Sequence, residues 1–382
     1  MSTFHVQRTL AGAPVPGLKD GKSRCVGPAG WMVACWLVWA LCFHPQHLSY
    51  VGGTGVPQQP RATNWWTTTM LVREKKGSLW RKNGNVKAPG GGRSRASSSS
   101  PGGAKAAMIL TSRINKAPTA AELLAVLDGA VDDPDFNYYH ISAAYHTLAK
   151  FHRRGLLQGL CESPVLPKLH TRVENLIRSK QINPQASANV LWAMAVLLEA
   201  IPRTTCLLPV LTNVFPEKTP GMKAQELANC LWASAHLKDV APDLKDVAPV
   251  VLNIVPTLVT HIPGKAALMD PQELSNCLWA IAHLKGVAPD GLNIVSALVA
   301  QIPGRVHDMI PQHLSNCLWA LVQLKDVAPN VLKVAPALVA QIPSKAVDMK
   351  PQDLSTCLWA SAHLKDVAPD VVKVVPALAA QA

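Results

Sequence analysis

The chain is 382 residues long, only 5% aromatic, with a formal net charge of +13 from 37 Lys/Arg against 24 Asp/Glu. Length alone suggests two or three domains, although one extended repeat array can absorb most of it. The charge is unevenly placed: residues 1–121 hold 16 Lys/Arg against only Asp20 and Glu74, and the remainder holds 21 against 22. A near-neutral remainder argues against strong non-specific polyanion binding beyond the leader.

Residues 1–50 read as a signal-like leader, with Lys19, Lys22 and Arg24 ahead of an apolar core at 30–43. That core is shorter than the ~20 residues of a bilayer-spanning helix, and a basic flank before a short apolar run is the pattern of a signal sequence. A shallow or tilted anchor is the other reading. Residues 51–105 read as a disordered, basic, transit-like linker, rich in Gly, Ser, Pro, Lys and Arg and nearly free of acids. A signal-like core followed by such a stretch resembles the bipartite leaders of proteins sent to complex plastids; a mitochondrial presequence is the rival. The expectation is an organellar protein, mitochondrial or plastid, with its leader cleaved and no stable membrane span in the mature form.

From residue 106 the pattern turns helical. Thr119-Ala-Ala-Glu122 reads as a capping box, and a degenerate repeat unit spans about 119–175, with His146 at its aromatic position. Full units follow over about 184–382, the last one incomplete. Trp192, Trp232, Trp279, Trp319 and Trp359 recur at intervals of 40, 47, 40 and 40 residues. The long interval contains a tandem duplication of Leu-Lys-Asp-Val-Ala-Pro at 237–242 and 244–249. A self-similar period of this length is the signature of a stacked array.

The unit at 271–310 serves as the pattern. Leu274, Cys277, Leu278, Ile281 and Leu284 fall on one helical face, at the spacing of an amphipathic helix. Asp270-Pro271-Gln272-Glu273 supplies an N-cap, a proline at the first helical position and an acid at the third. After Val287-Ala288-Pro289, Asp290 is expected to cap a second helix, kinked but continuous, with Pro336 and Pro376 of later units turned outward. The predicted fold is therefore all-α: a right-handed α-solenoid of ~40-residue helix-pair repeats, first helices inside and second helices outside, after a disordered targeting leader.

Function-bearing candidates form columns down the stack. Gln185, Gln225, Gln272, Gln312 and Gln352 occupy one. Asn189, Asn229, Asn276 and Asn316 occupy a second, ending in Thr356. The third runs Val196, His236, His283, Gln323, His363. Arg178, Lys218, Lys265, Arg305 and Lys345 place one cation in each full unit. Amides suit base edges, cations suit phosphates, and the five tryptophans are candidates for base stacking. Packing residues and amide ladders are the competing reading of the same columns. Cys230, Cys277, Cys317 and Cys357 form a column of small buried side chains, without metal-ligand spacing. Lys238, Lys285, Lys325 and Lys365 complement the helix dipole. No cofactor, metal or catalytic constellation is expected, so the protein is read as a non-enzyme.

The motif Pro-Gln-x-Leu-Ser-Asn-Cys-Leu-Trp-Ala-x-Ala-x-Leu-Lys resembles the octotricopeptide repeat family, and the related helical regions of FAST-kinase-like, RAP-domain and mitochondrial RNA-editing substrate-binding proteins. It is matched well at 271–284, 311–324 and 351–364, partly at 184–197 and 225–237, and 106–155 resembles the entry region of such proteins. The resemblance implies an organellar single-stranded RNA-binding array acting in RNA processing, stability or translation, with organellar RNA-processing proteins as further partners. The period here is longer than that family's usual one, and no RAP-like domain follows residue 382. The units are also more alike than a reader of varied bases requires. A HEAT- or armadillo-like protein-interaction scaffold, with no nucleic-acid binding, is the alternative.

Overall fold

The computed structural model describes residues 101–157, 162–240 and 247–382, which are mostly helical; no strand occurs among them. The expectations for the leader and its apolar core lie outside these residues, as does the centre of the tandem duplication. None of the described helices is long and apolar enough to cross a membrane.

Four helices come first: α1 Pro101–Lys116, α2 Ala120–Asp128, α3 Tyr138–Arg153 and α4 Val165–Arg178. Thr119 caps α2 by accepting the Glu122 amide, as its sequence predicts. Then α5 Pro184–Leu197 begins at Pro184, behind Asn183, whose side chain accepts the Ala186 amide. Next come the short α6 Leu208–Thr212 and α7 Phe215–Lys218, the long α8 Ala224–Val240, and α9 Val247–Leu252 and α10 Val255–His261. The remaining three units pair a long helix with a shorter one: α11 Pro271–Leu284 with α12 Val295–Val299, α13 Pro311–Leu324 with α14 Ala335–Lys345, and α15 Pro351–Leu364 with α16 Val375–Ala379.

The helices pack in series. α3 contacts α5, α5 contacts α8, and α8, α11, α13 and α15 follow, each against the next. The shorter elements make a second layer: α12 lies on the turn 329–334 and α14 on the turn 369–374. The amphipathic face read from sequence faces this second layer. Leu274, Cys277, Leu278, Ile281 and Leu284 are all fully buried, and each large apolar side chain contributes about 1.5–3 kcal/mol by leaving water.

The second element of a unit differs from expectation. It is a 3₁₀ turn, Pro289–Ile294, running into the separate short helix α12, and the arrangement returns at 329–334 and 369–374. Asp290 does not cap it; the N-cap is Ala288 and no side chain bonds there. Pro336 and Pro376 stand within the first two residues of α14 and α16, where a missing N–H costs nothing. They are exposed, as expected, but they begin helices rather than kink them.

Lysines at the ends of the long helices do more than meet a dipole. Lys238 donates to the His283 carbonyl at 3.0 Å, Lys285 to the Gln323 carbonyl, and Lys325 to the His363 carbonyl at 3.3 Å. Each therefore reaches the last turn of the following long helix. These are inter-unit fasteners at the side-chain level, repeated three times.

Candidate nucleic-acid interface

The long helices touch one another side by side, so each loses solvent access on both flanks as well as on its apolar face. This decides the fate of the polar columns. Trp192, Trp232 and Trp279 retain only 9, 6 and 4% exposure; Trp319 and Trp359 are half-buried. The rings stack on one another instead of offering faces outward. Trp232 and Trp279 have centroids 6.3 Å apart, and Trp279 and Trp319 6.4 Å. His236 lies on Trp232 at 4.7 Å, and His283 is inserted at 3.9 Å from Trp279 and 4.6 Å from Trp319. His146 continues the row onto Trp192 at 5.5 Å. A base has no access to the faces of Trp192, Trp232 or Trp279, which corrects their reading as stacking platforms. They belong to an aromatic ladder that joins units, and offset ring pairs of this kind contribute beyond their buried area.

The histidine column is likewise committed. His236 is buried, and desolvation pulls it down to about 4, against the opposing pull of Asp239. His283 bonds through Nδ1 to the Asp239 carboxylate, which also takes Lys238 at 2.7 Å. Burial works to raise the Asp239 carboxyl, but the bonds and charges of His283 and Lys238 outweigh it and hold the carboxyl below its usual range. His363 is exposed, with Nδ1 2.8 Å from the Trp359 carbonyl. The cysteine column is fully buried, and desolvation raises all four thiols, Cys317 to about 12. Among the described residues no cluster of metal-ligating side chains occurs.

The amides remain closer to solvent. Gln185 and Gln225 are exposed, and Gln272, Gln312 and Gln352 half-buried. Asn189 donates to Ser142 at 2.7 Å across a unit boundary, Asn229 is half-buried, and Asn276 and Asn316 are buried. Of the cations, Arg178 pairs with Glu174 at 2.6 Å and Lys218 with Glu217 at 3.0 Å. Lys265 and Lys345 are half-buried, and Arg305 is exposed.

One place gathers members of three columns. A groove of about 600 Å³ opens between the N-terminal ends of α11 and α13 and is lined by Gln272, Asn276, Arg305 and Gln312, with Asp270, Asp308, Ile310 and His313. Two consecutive units thus supply two glutamines, an asparagine and an arginine to one concavity. Ile310 and His313 were not singled out from sequence. Their signal was present, because they stand where α11 has the capping pair Asp270 and Glu273.

Fold and groove together define an all-helical protein with helices packed in series and an amide-lined groove between the N-terminal ends of α11 and α13. No protein-family model matches the chain, and no curated protein matches it.

Proposed function

We propose that this chain is a non-enzymatic, single-stranded-RNA-binding helical-repeat protein of an organelle, acting in RNA processing, stability or translation, whose described part is a right-handed α-solenoid of ~40-residue units. The observation that carries the reading is the groove between α11 and α13, where Gln272, Asn276, Gln312 and Arg305 converge. Carboxamides can pair with base edges while a guanidinium holds phosphate. The repeat motif and its resemblance to octotricopeptide repeats support the same reading. The contact surface comprises the amide columns and Lys265, Arg305 and Lys345, with half-buried Trp319 and Trp359 left as the ring candidates.

A specific feature favours a protein-binding scaffold as the second reading. Val287, Val327 and Val367, one per unit at the same turn, are each about half exposed, and a regular apolar row on a near-neutral array suits a protein partner. The discriminating experiment compares the full chain with residues 101–382 for binding of labelled single-stranded RNA and matched DNA by anisotropy, across salt concentrations. If Lys265, Arg305 and Lys345 each neutralise a phosphate, log K falls against log salt with a slope of about −2. Salt-dependent RNA binding kept by residues 101–382 supports the proposal. Binding that disappears with the basic leader overturns it and leaves the scaffold.

A further inference from the structure

Val287, Val327 and Val367 occupy one place in three successive units. Each donates its amide to the last residue of a long helix, Leu284, Leu324 or Leu364, at 2.9, 3.1 and 3.0 Å. Each also leaves about half of its surface in water. A single exposed valine needs no explanation, but three at a fixed interval form an apolar row. That interval is the separation of neighbouring packed helices, about 8–10 Å.

The same rim gathers negative potential. It is built from the C-terminal ends of α11, α13 and α15, where the helix dipoles are negative. Lys285 and Lys325 are spent across the joints, on carbonyls of the following helix. The exposed ionic groups beside the valines are then Asp290, Asp326 and Asp366 against Lys365. Asp370 is taken by Lys373 at 2.6 Å. A partner for this rim carries apolar side chains at a matching interval, with cations around them.

The chain itself holds such a segment, outside the described residues. Trp65, Val72 and Leu79 recur at every seventh position, and Arg73, Lys75, Lys76, Arg81 and Lys82 accompany them with only Glu74 opposed. Seven residues of α-helix advance about 10.5 Å, close to the interval of the valines, whereas seven extended residues advance about twice that or more. The connection is long enough. Residues 83–100 reach up to about 60 Å when extended, against about 40–50 Å for the five joints from α1 to α13.

We infer that the rim of Val287, Val327 and Val367 is a docking site for residues 65–82 of the same chain. The segment lies across α11, α13 and α15 as a helix, with Trp65, Val72 and Leu79 on the valines and its cations beside the rim carboxylates. A helix of this length is marginal alone, so its winding accompanies docking. The rim lies at the opposite ends of the helices from the groove proposed for RNA, and the inference does not depend on that reading. It concerns the chain that still carries its leader; removal of the leader uncovers the rim.

The test is limited trypsin digestion of the full chain, with cleavage after Arg81 and Lys82 followed by mass spectrometry. Cleavage after Arg93 and Arg95, in the connection, is the internal reference. A tether supplies an effective concentration of about 1 mM; against an intrinsic affinity of about 0.1 mM, Arg81 and Lys82 are protected roughly tenfold. Two variants leave the cleaved sequence unchanged. One carries Val287→Ser, Val327→Ser and Val367→Ser on the rim, and the other carries Trp65→Ser in the segment, which cannot unfold the array. Both should abolish the protection, as should high salt in part, while Arg93 and Arg95 are cut at the same rate throughout. Equal cleavage at Arg81 and Lys82 in the wild type and the Trp65→Ser variant overturns the inference. Protection that grows with protein concentration, together with a dimer in light scattering, also overturns it and assigns the rim to a second copy.

Discussion

The contact between Asp239 and His283 joins two successive long helices, and its removal has a calculable consequence. Asp239 ends α8; His283 lies near the end of α11, its ring held between Trp279 and Trp319. Their side chains are 32 and 20% exposed. A hydrogen bond to a charged acceptor contributes about 1.5–3 kcal/mol when well protected, and exposure of this extent reduces that to about 1 kcal/mol. The repeat itself provides an internal comparison. The residue at the Asp239 position is Glu199, Asp239, Gly286 and Asp326 in successive units, and the column residue of the unit after each is His236, His283, Gln323 and His363. Histidine follows an acid, and glutamine follows the glycine. At the degenerate unit Arg153 takes that position, and Val196 follows. The assay is urea denaturation at pH 7 of the wild type, Asp239→Asn, His283→Gln and the double variant. The cycle should return a coupling of about 1 kcal/mol. Because the Asp239 carboxyl is held below its ordinary range, its contribution is complete above the unfolded carboxylate pKa and disappears only as pH falls through the lowered value. Transplanting the pair, Gly286→Asp with Gln323→His, should stabilise by more than the sum of its single changes; a Cβ at Gly286 meets no atom within 4 Å. Additivity within about 0.3 kcal/mol in both cycles would refute the reasoning and reduce the pattern to coincidence.

Other consequences follow from single side chains. His236, buried and lowered to about 4, is neutral in the fold but protonated below about 6.5 when unfolded, so stability should fall between those values as pH drops. His236→Gln should flatten that part of a pH–stability curve. Cys230, Cys277, Cys317 and Cys357 should resist alkylation until the chain unfolds, because each is buried and its thiol is raised; peptide mapping of labelled sites checks this. Leu278→Ala, emptying a fully buried position between the layers, should cost about 2–5 kcal/mol in denaturant unfolding. Lys180 has φ of 60°, the left-handed region, after the C-terminus of α4, and Lys180→Gly should gain up to about 1 kcal/mol.

Much of the local architecture could be read directly from residue order. Pro271 opens its helix behind the Asp270 cap as expected, and Pro184, Pro311 and Pro351 open theirs at the matching place, because a proline is best tolerated at the first helical position. The apolar line Leu274, Cys277, Leu278, Ile281 and Leu284 found its core because a spacing of three and four has one geometric meaning. The second elements were harder. A short apolar run after Val-Ala-Pro is compatible with either an α-helix or a 3₁₀ turn, and only the packing of 289–294 against its neighbours selects the tighter winding. The polar columns show a deeper limit. A helical wheel separates an apolar face from the face carrying Gln272, Asn276, Trp279 and His283, and that second face reads as exposed. In a series of helices packed flank to flank, most of it is covered, so Trp279 and Asn276 are buried while Gln272 stays near solvent.

That geometry also bears on where function should be sought in so repetitive a chain. Residues that recur from unit to unit, such as the tryptophans and the terminal lysines, make contacts that run between units; the stack demands the same contact at every joint. A ligand is under no such demand. The informative positions are therefore the departures, above all those that surrender local stability without an internal replacement. Ile310 and His313 together forgo the capping pair that α11 retains, at a cost of about 1 kcal/mol, and they do so on a groove that Asn276 and Arg305 also line. The shared residues explain why the chain stacks. The exceptions to the repeat, more than the repeat itself, indicate what the stack holds.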